Sequence, residues 1–255
     1  MKIIVCIKQV PDTADIKWTK NNTLQREGMD SIINPFDEYA LETALRLKDT
    51  IEGVSIHVIS MGPKQAEISL KEALALGSDE GTIICDKKFA AADTIATSNT
   101  IAAAIKNNFS DFDLIICGQF ATDGDTAQTG PMIAENLGLP QVTYVRKILN
   151  VTEGNIIVEK ETDFGVETLK VKLPALICIQ NCNFKLRQAK IGGYIFAQEK
   201  EIQNIGLTDI GIDENKVGLK GSPTYVSKAF RPQSERNIKF VDSECIVEIL
   251  KGEQK

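Results

Sequence analysis

The residues best suited to chemistry lie in one glycine-rich loop, GQFATDGDTAQTGPMIAENLG, at positions 118–138. Glycines and hydroxyl side chains precede an amphipathic, helix-like run, and backbone N–H groups at the start of a helix bind anions well. We therefore expect the amides from Thr126 to Gly130 to bind a phosphate. Neutral donors in the same stretch are Thr126, Gln128 and Thr129. Two acids, Asp123 and Asp125, need a different role, because a carboxylate repels phosphate.

The acids of the loop allow several interpretations. Asp125 followed by Gln128 resembles a capping box, in which the acid would turn inward to backbone amides. Pro131 instead favours a helix that starts near Thr129, because proline suits the first helical turn. Asp123 could accept hydrogen bonds from ribose hydroxyls. The loop could also be a turn without a ligand, or its acids could share magnesium with phosphates, although we expect no resident metal.

Other kinds of site find little support in the sequence. The loop lacks the lysine of a P-loop and the glycine spacing of dinucleotide-binding folds. The single histidine, His57, lies in a strand-like run, so a hydrolytic triad is weakly supported and we name no catalytic residue. The six cysteines lie mostly in apolar runs, which predicts reduced thiols. Cys178 and Cys182 lack the second pair that a zinc or iron–sulfur site needs.

Composition narrows the class of protein further. A formal net charge of -6 argues against general nucleic-acid binding. No apolar run approaches the ~18 residues that a membrane span requires. The amino-terminal run is typical of a first strand rather than of a signal peptide. We therefore expect a cytoplasmic protein without a membrane span.

The elements that must position the loop alternate between strand and helix over residues 1–138. The predicted strands cover 2–10, 54–60, 81–86 and 113–119, and the predicted helices cover 35–48, 63–76, 94–109 and the run that ends at 138. Asn34 suits an N-cap, Pro35 suits the first helical position, and Gly77 suits a C-cap. This alternation predicts an α/β fold with a mostly parallel sheet and helices on both faces.

Four strand ends of this sheet carry small or polar residues. Ligands of open parallel sheets bind beyond the carboxyl ends of the strands. The segments that fall there are Cys6 to Gln9, Asn34 to Asp37, Met61 with Gly62, and Gly118 to Gly130. We expect them to converge on one crevice that binds an adenosine phosphate.

The pattern of apolar and polar residues changes after Pro140, where the alternation of strand-like and helix-like runs ends. Three extended runs, at 141–151, 155–162 and 166–180, predict antiparallel strands appended to the sheet. Beyond about residue 183 the chain becomes polar and irregular. We expect an extended C-terminal tail that packs on another subunit or wraps the domain.

An ordered set of motifs resembles the β subunit of electron-transfer flavoproteins. The motifs are MKIIVCIKQVPDT, SIINPFDEYALETALRLKD, VISMGPKQAE, EALALGSDEG, GQFATDGDTAQTGP, VKLPAL and VGLKGSPT. The resemblance implies a Rossmann-like fold and a larger α subunit that carries FAD. It also implies a nucleotide in this chain, bound by Cys6, Asn34, Pro35, Phe36, Asp37, Met61, Gly118, Gln119, Phe120, Ala121, Thr122, Asp123, Gly124, Asp125, Thr126, Ala127, Gln128 and Thr129.

The form of two motifs resembles the FAD-holding, electron-bifurcating branch of that family. These motifs are DGDTAQTGP, with Gly124 and Thr126, and KGSPT. The resemblance implies that NADH exchanges hydride with this FAD, and that electrons divide between ferredoxin and the α-subunit FAD, which serves a partner flavin dehydrogenase. One alternative is a simple carrier with AMP in the same site. Another is a non-redox adenine-nucleotide module; a ligase or hydrolase would need a Ser-Gly-Gly type loop that KQVPDT lacks.

One segment, NCNFKLRQAKIGGYIFAQEK, departs from the family. Where the family has an acid–Pro–Arg–Tyr turn that docks a dehydrogenase, only Arg187 is retained, and the apolar anchor falls at Ile191. Gly192 and Gly193 are expected to loosen the middle. The aromatic and aliphatic residues that follow are Tyr194, Ile195 and Phe196. They form either a local core or an interface for a partner of 2-hydroxyacid (lactate) rather than acyl-CoA type.

The resemblance divides the chain into three parts. Residues 1–182 form the nucleotide-binding α/β domain, residues 183–200 form the partner-docking segment, and residues 201–255 form a tail that packs on the partner subunit.

Overall fold

A computed structural model describes residues 1–12, 31–227 and 240–250 of the chain. The polar segment expected around Trp18 lies outside the described residues. The strands are β1 (Lys2–Cys6), β2 (Gln9–Pro11), β3 (Ser31–Ile33), β4 (Ser55–Met61), β5 (Glu80–Ile84), β6 (Leu114–Gly118), β7 (Gln141–Thr152), β8 (Asn155–Thr162), β9 (Gly165–Lys172), β10 (Ala175–Ile179) and β11 (Gln203–Ile205). The α-helices are α1 (Pro35–Thr50), α2 (Glu67–Leu76), α3 (Thr94–Asn108), α4 (Thr129–Leu137), α5 (Ile191–Glu199), α6 (Leu207–Ile210) and α7 (Ser243–Leu250).

The main sheet is nine-stranded, in the order β11-β5-β4-β1-β6-β10-β7-β8-β9. The strands from β11 to β7 pair in parallel, and β8 and β9 continue the sheet in antiparallel pairing. Strands buried on both faces need continuous apolar runs, which β1, β6 and β10 have. The predicted α/β class, with appended antiparallel strands, is confirmed.

Two predicted strands are divided in the structure. The run 2–10 breaks after Cys6, and β2 turns away to pair antiparallel with β3 in a separate sheet. The run 166–180 becomes β9 and β10, and β10 lies between β6 and β7 as a central parallel strand. The physical reason is readable in the residues: VETLKVK alternates polar and apolar positions, whereas ALICI is uniformly apolar and buried.

The helix boundaries follow local signals. Pro35 occupies the first turn of α1, with Asn34 at the N-cap position. Gly77 ends α2 with φ at +126°, and Gly138 ends α4 with φ at +65°, a left-handed conformation that favours glycine. Over the described residues, no helix is both long enough and apolar enough to cross a membrane.

The described residues from 184 to 227 contain more regular secondary structure than the sequence indicated. α5 packs against α2, and β11 adds a parallel strand beside β5. Ile205, Ile210 and Val217 are buried in the core on the α3 side of the sheet. The first residues of the expected tail, which begins at 201, therefore belong to this domain. They add an edge strand to its sheet and place three apolar side chains in its core.

Candidate functional site

Asp37 connects three of the four segments that were predicted to converge at the edge of the sheet. It lies in the first turn of α1 and is only 6% exposed. Its carboxylate accepts hydrogen bonds from the N–H of Lys8, at 2.7 Å, and from the N–H of Gly118, at 3.2 Å. Burial raises the pKa of this carboxyl to about 7 from its ordinary 3.8, and bonds from the Asn34 side chain and from these two amides act in the opposite direction. The end of β1, the start of α1 and the end of β6 thus share one buried acid.

Asn34 ties α1 to the glycine-rich loop. Its side chain makes no helix cap. Instead its amide nitrogen donates to the carbonyl of Phe120, at 2.9 Å, and its oxygen accepts from the N–H of Thr122, at 3.1 Å. The rings of Phe36 and Phe120 add a contact with centroids 4.1 Å apart. The expected capping role of the Asn34 side chain is wrong, since the distant loop competes successfully for both of its polar atoms.

The start of the loop is closely packed. A Cβ on Gly118 would lie 2.7 Å from the backbone carbon of Phe36, too close for any side chain. Gln119 is buried, and its oxygen accepts from the N–H of Tyr144 at 2.6 Å. The loop is thereby attached to β7 as well as to α1, so its first residues form a rigid base.

The rest of the loop is exposed and has an unusual backbone. Asp125 and Ala127 have φ values of +52° and +54°, in the left-handed region that non-glycine residues rarely adopt. α4 begins at Thr129, and its N-cap Gln128 makes no side-chain cap. The predicted capping box is therefore wrong, and the alternative start near Thr129 is confirmed. A left-handed residue followed by the right-handed Gln128 orients successive N–H groups together, as in anion-binding nests.

Lys8 is a contact of the loop that the sequence did not reveal. Its ammonium bonds both carboxylate oxygens of Asp123, at 2.6 and 2.7 Å. A lysine two residues beyond the first strand is a signal that could have been read, because that strand end was already placed in the crevice.

Cys6 and Met61 lie at the same edge of the sheet, at the ends of β1 and β4. Both are half-buried. Cys6 is in register with Cys117, and a hydrogen bond between the two thiols, together with burial, raises the pKa of Cys117 well above its ordinary value. All six cysteines carry free thiols. These two predicted residues therefore line the expected edge without a bond to the loop.

The C-terminal segment reaches the site through Asp93, which sequence reasoning missed. Asp93 caps α3 and also accepts from the N–H and the hydroxyl of Thr224, at 3.0 and 2.9 Å. Its own N–H donates to the Ser222 hydroxyl at 2.8 Å. The next residue, Thr94, donates to the Gln128 side chain at 3.1 Å. The KGSPT motif is thus attached beside the start of α4.

The predicted docking segment is anchored at both ends. Arg187 forms ion pairs with the buried Glu42, at 2.8 Å, and with Asp49, at 2.6 Å, so its guanidinium is used within the chain. At the far end, Lys71 donates to the carbonyl of Ala197 at 2.6 Å. The segment is fixed on α1 and α2 rather than free.

The apolar residues of α5 are exposed. Exposed fractions are 81% for Ile191, 56% for Tyr194, 56% for Ile195 and 42% for Phe196, so the local-core alternative is wrong. Gly193 does not loosen the segment, because a Cβ there would collide with the carbonyl oxygen of Ala75 on α2. It permits close helix packing instead.

Comparison with known proteins shows the family to which the chain belongs. A model of the electron transfer flavoprotein domain matches residues 21–207. The electron transfer flavoprotein subunit beta of Clostridium acetobutylicum is 48% identical over 231 residues, covering 90% of this chain and 87% of that protein. CarD, a subunit of the caffeyl-CoA reductase-Etf complex of Acetobacterium woodii, is 41% identical over 251 residues, covering 98% and 95%. Protein FixA of Azorhizobium caulinodans is 41% identical over 241 residues, covering 92% and 85%. The chain therefore belongs to the electron transfer flavoprotein family, as an electron-transfer subunit of the β type.

Proposed function

We propose that this subunit binds FAD in the crevice at the strand ends. There it would connect NADH, ferredoxin and a partner flavin dehydrogenase by electron bifurcation or confurcation. The observation that carries the proposal is the uncapped start of α4, preceded by left-handed Asp125 and Ala127. Strained backbone of this kind persists where the surroundings enforce it, often at ligand sites.

The residues of the crevice fit a nucleotide. The amides between Thr126 and Gly130 would hold the phosphates, since the helix dipole and the nest both favour an anion there. The exposed hydroxyls of Thr122 and Thr126 add neutral donors. Asn34 and Asp37 would not contact the phosphates but would fix the backbone of the loop by their hydrogen bonds to it. When bound, FAD supplies the hydride and single-electron chemistry, and the chain's part is to bind and orient it.

AMP in the same crevice is the second candidate. The phosphate-binding geometry serves AMP equally well, and a simple electron carrier would follow. The attachment of KGSPT beside α4 favours FAD, because a dinucleotide extends beyond its phosphates and needs further protein surface. A non-redox nucleotide module on the same fold remains the third candidate.

The exposed residues of α5 suit a partner dehydrogenase. Three apolar side chains more than half exposed, on a helix fixed at both ends, favour a protein interface. The name of CarD links that relative to a caffeyl-CoA reductase, which supports a dehydrogenase-type partner here as well. The partner would be a dehydrogenase of either the 2-hydroxyacid type or the acyl-CoA type. The 2-hydroxyacid type is included because the segment departs from the family motif.

The C-terminal tail suits the α subunit. Ile246 and Val247 of α7 are 46% and 54% exposed, and Phe240 before the helix is 95% exposed. Such apolar surface is typical of a contact with another chain. We therefore propose a heterodimer in the cytoplasm, in which the end of the segment 201–255 covers its partner.

Cofactor analysis of the heterodimer tests the proposal. The chain is co-expressed with its α-type partner, and flavin and AMP are quantified after denaturation. Two flavins per heterodimer are expected for the bifurcating form. One flavin with one AMP would establish the simple carrier, and a colourless protein would contradict both.

A further inference from the structure

The ion pair between Lys8 and Asp123 joins the end of β1 to the glycine-rich loop, at the edge of the sheet where we propose the nucleotide. Lys8 belongs to the connection between β1 and β2, and its backbone N–H is fixed by Asp37 at 2.7 Å. Its side chain extends to the loop, where both oxygens of Asp123 accept from it. Both side chains are partly exposed, at 48% and 36%. Among the residues that the structure describes, Lys8 is the only one whose cationic side chain bonds residues 118–129.

We infer that Lys8 is a direct ligand of the nucleotide phosphate and that Asp123 competes with the phosphate for it. This inference rests on the proposed nucleotide site. A lysine ammonium binds carboxylate and phosphate by the same charge-assisted hydrogen bonds. Asp123 lies three residues before the amides expected to hold the phosphate, so both anions are within one short loop of the same cation.

The loop does not depend on this ion pair for its position. Asn34 and Asp37, both buried, already fix residues 118–122 by three hydrogen bonds between their side chains and the loop backbone. Asp37 also accepts from the backbone N–H of Lys8. An ion pair as exposed as Lys8–Asp123 contributes little to stability, because water competes for both charges. It can therefore exchange partners without disturbing the base of the crevice.

The inference gives the two residues opposite effects. Lys8→Met should weaken ADP binding about tenfold, since one charge-assisted bond to phosphate is lost. Asp123→Asn should strengthen ADP binding about threefold, because the competing carboxylate and its repulsion are removed. Adenosine, which has no phosphate, should bind all three proteins alike. If the pair only held the loop in shape, both substitutions would weaken binding.

Titration calorimetry on the heterodimer, depleted of its exchangeable nucleotide, measures these affinities with ADP and with adenosine. Lys2→Met is the matched control, because Lys2 also pairs with an aspartate, Asp111, but at the opposite end of β1. Lys8→Arg should restore most of the affinity, which excludes misfolding as the cause.

Two failures are distinguishable. If the unaltered heterodimer binds ADP no better than adenosine, the proposed site and the inference both fail. If it prefers ADP but Asp123→Asn weakens binding as Lys8→Met does, or if neither changes it, the inference alone is overturned.

Discussion

Asp37 and Gly118 lie against one another where α1 meets the end of β6, and the Gly118 N–H donates to the Asp37 carboxylate at 3.2 Å. The contact is so close that a Cβ at Gly118 would collide with this carboxylate and with the backbone of α1. The carboxylate of Asp37 thus occupies the space that a side chain at Gly118 would need. The shape of the crevice depends on a glycine whose partner lies far away in the sequence.

Gly118→Ala should therefore damage both stability and nucleotide binding. The added methyl group has no space, so α1 or the loop must shift, at a cost of about 1 to 3 kcal/mol of unfolding free energy. Gly124→Ala in the same loop is the control for stability, since nothing lies within 4 Å of its Cβ position. Denaturant unfolding and nucleotide content of the heterodimer measure both effects. Equal unfolding free energies for the two variants would contradict the proposed packing.

Asp37 should make stability depend on pH. Its pKa in the folded chain is about 7, above the ordinary 3.8, so its contribution is fully present below pH 3.8 and is lost as the pH rises through 7. Asp37→Asn removes this titration. Between pH 5 and pH 8 the unaltered protein should lose on the order of 2 kcal/mol relative to Asp37→Asn.

Urea unfolding of both proteins at the two pH values gives this difference, and contributions from other acids cancel. Asp111→Asn, at an exposed aspartate, should parallel the unaltered protein. A difference of opposite sign would mean that the carboxylate is stabilised as an anion in the fold.

Local signals predicted much of the fold. From Pro35 to Leu137 helices and strands alternate as expected, because the apolar period and residues such as Pro35, Gly77 and Gly138 act within one or two turns. The place of β10 between β6 and β7 was not predicted, because strand order depends on pairing between distant segments. A local sequence pattern therefore predicts where a helix or strand lies better than it predicts which strands pair with one another.

In the candidate site, too, the positions of the segments were predicted but their contacts were not. The segments at the strand ends were predicted correctly as neighbours, because parallel strands bring their carboxyl ends to one edge. The bonds within the site were missed. Asn34 has the sequence of a cap but bonds a loop 86 residues away, and Asp93 bonds Thr224 at a separation of 131. Nothing local distinguishes such an acceptor from an ordinary cap.

Loss of the hydrogen bonds between Asp93 and Thr224 should lower the free energy of unfolding by a measurable amount. Thr224→Val removes the hydroxyl bond and should cost about 1 kcal/mol. Asp93→Ala removes this bond and the cap of α3 together, at a cost of about 2 kcal/mol. The double variant should be no less stable than Asp93→Ala, because both changes remove the same bond.

Thermal unfolding of the three variants tests this non-additivity. Thr208→Val, at an exposed position of α6, should be neutral. Additive losses would show that Thr224 acts through some other contact.

The two adjacent glycines of α5 should respond differently to the same substitution. Gly193→Ala places a methyl group against the carbonyl of Ala75 on α2, so α5 must move outward, whereas nothing lies within 4 Å of the Cβ position of Gly192. Gly193→Ala should cost about 1 to 3 kcal/mol. Gly192→Ala should be neutral or stabilise by up to about 1 kcal/mol, because alanine favours a helix.

The same pair tests the role of the exposed apolar side chains. If Tyr194 and Ile195 dock a dehydrogenase, displacing α5 should lower the amount of that enzyme that co-purifies with the heterodimer, while Gly192→Ala leaves it unchanged. Co-purification from the native cell followed by mass spectrometry measures both. Unchanged recovery with Gly193→Ala, in a variant whose unfolding free energy has dropped as expected, would mean that the partner docks elsewhere on the subunit, because α5 would have moved without effect on binding.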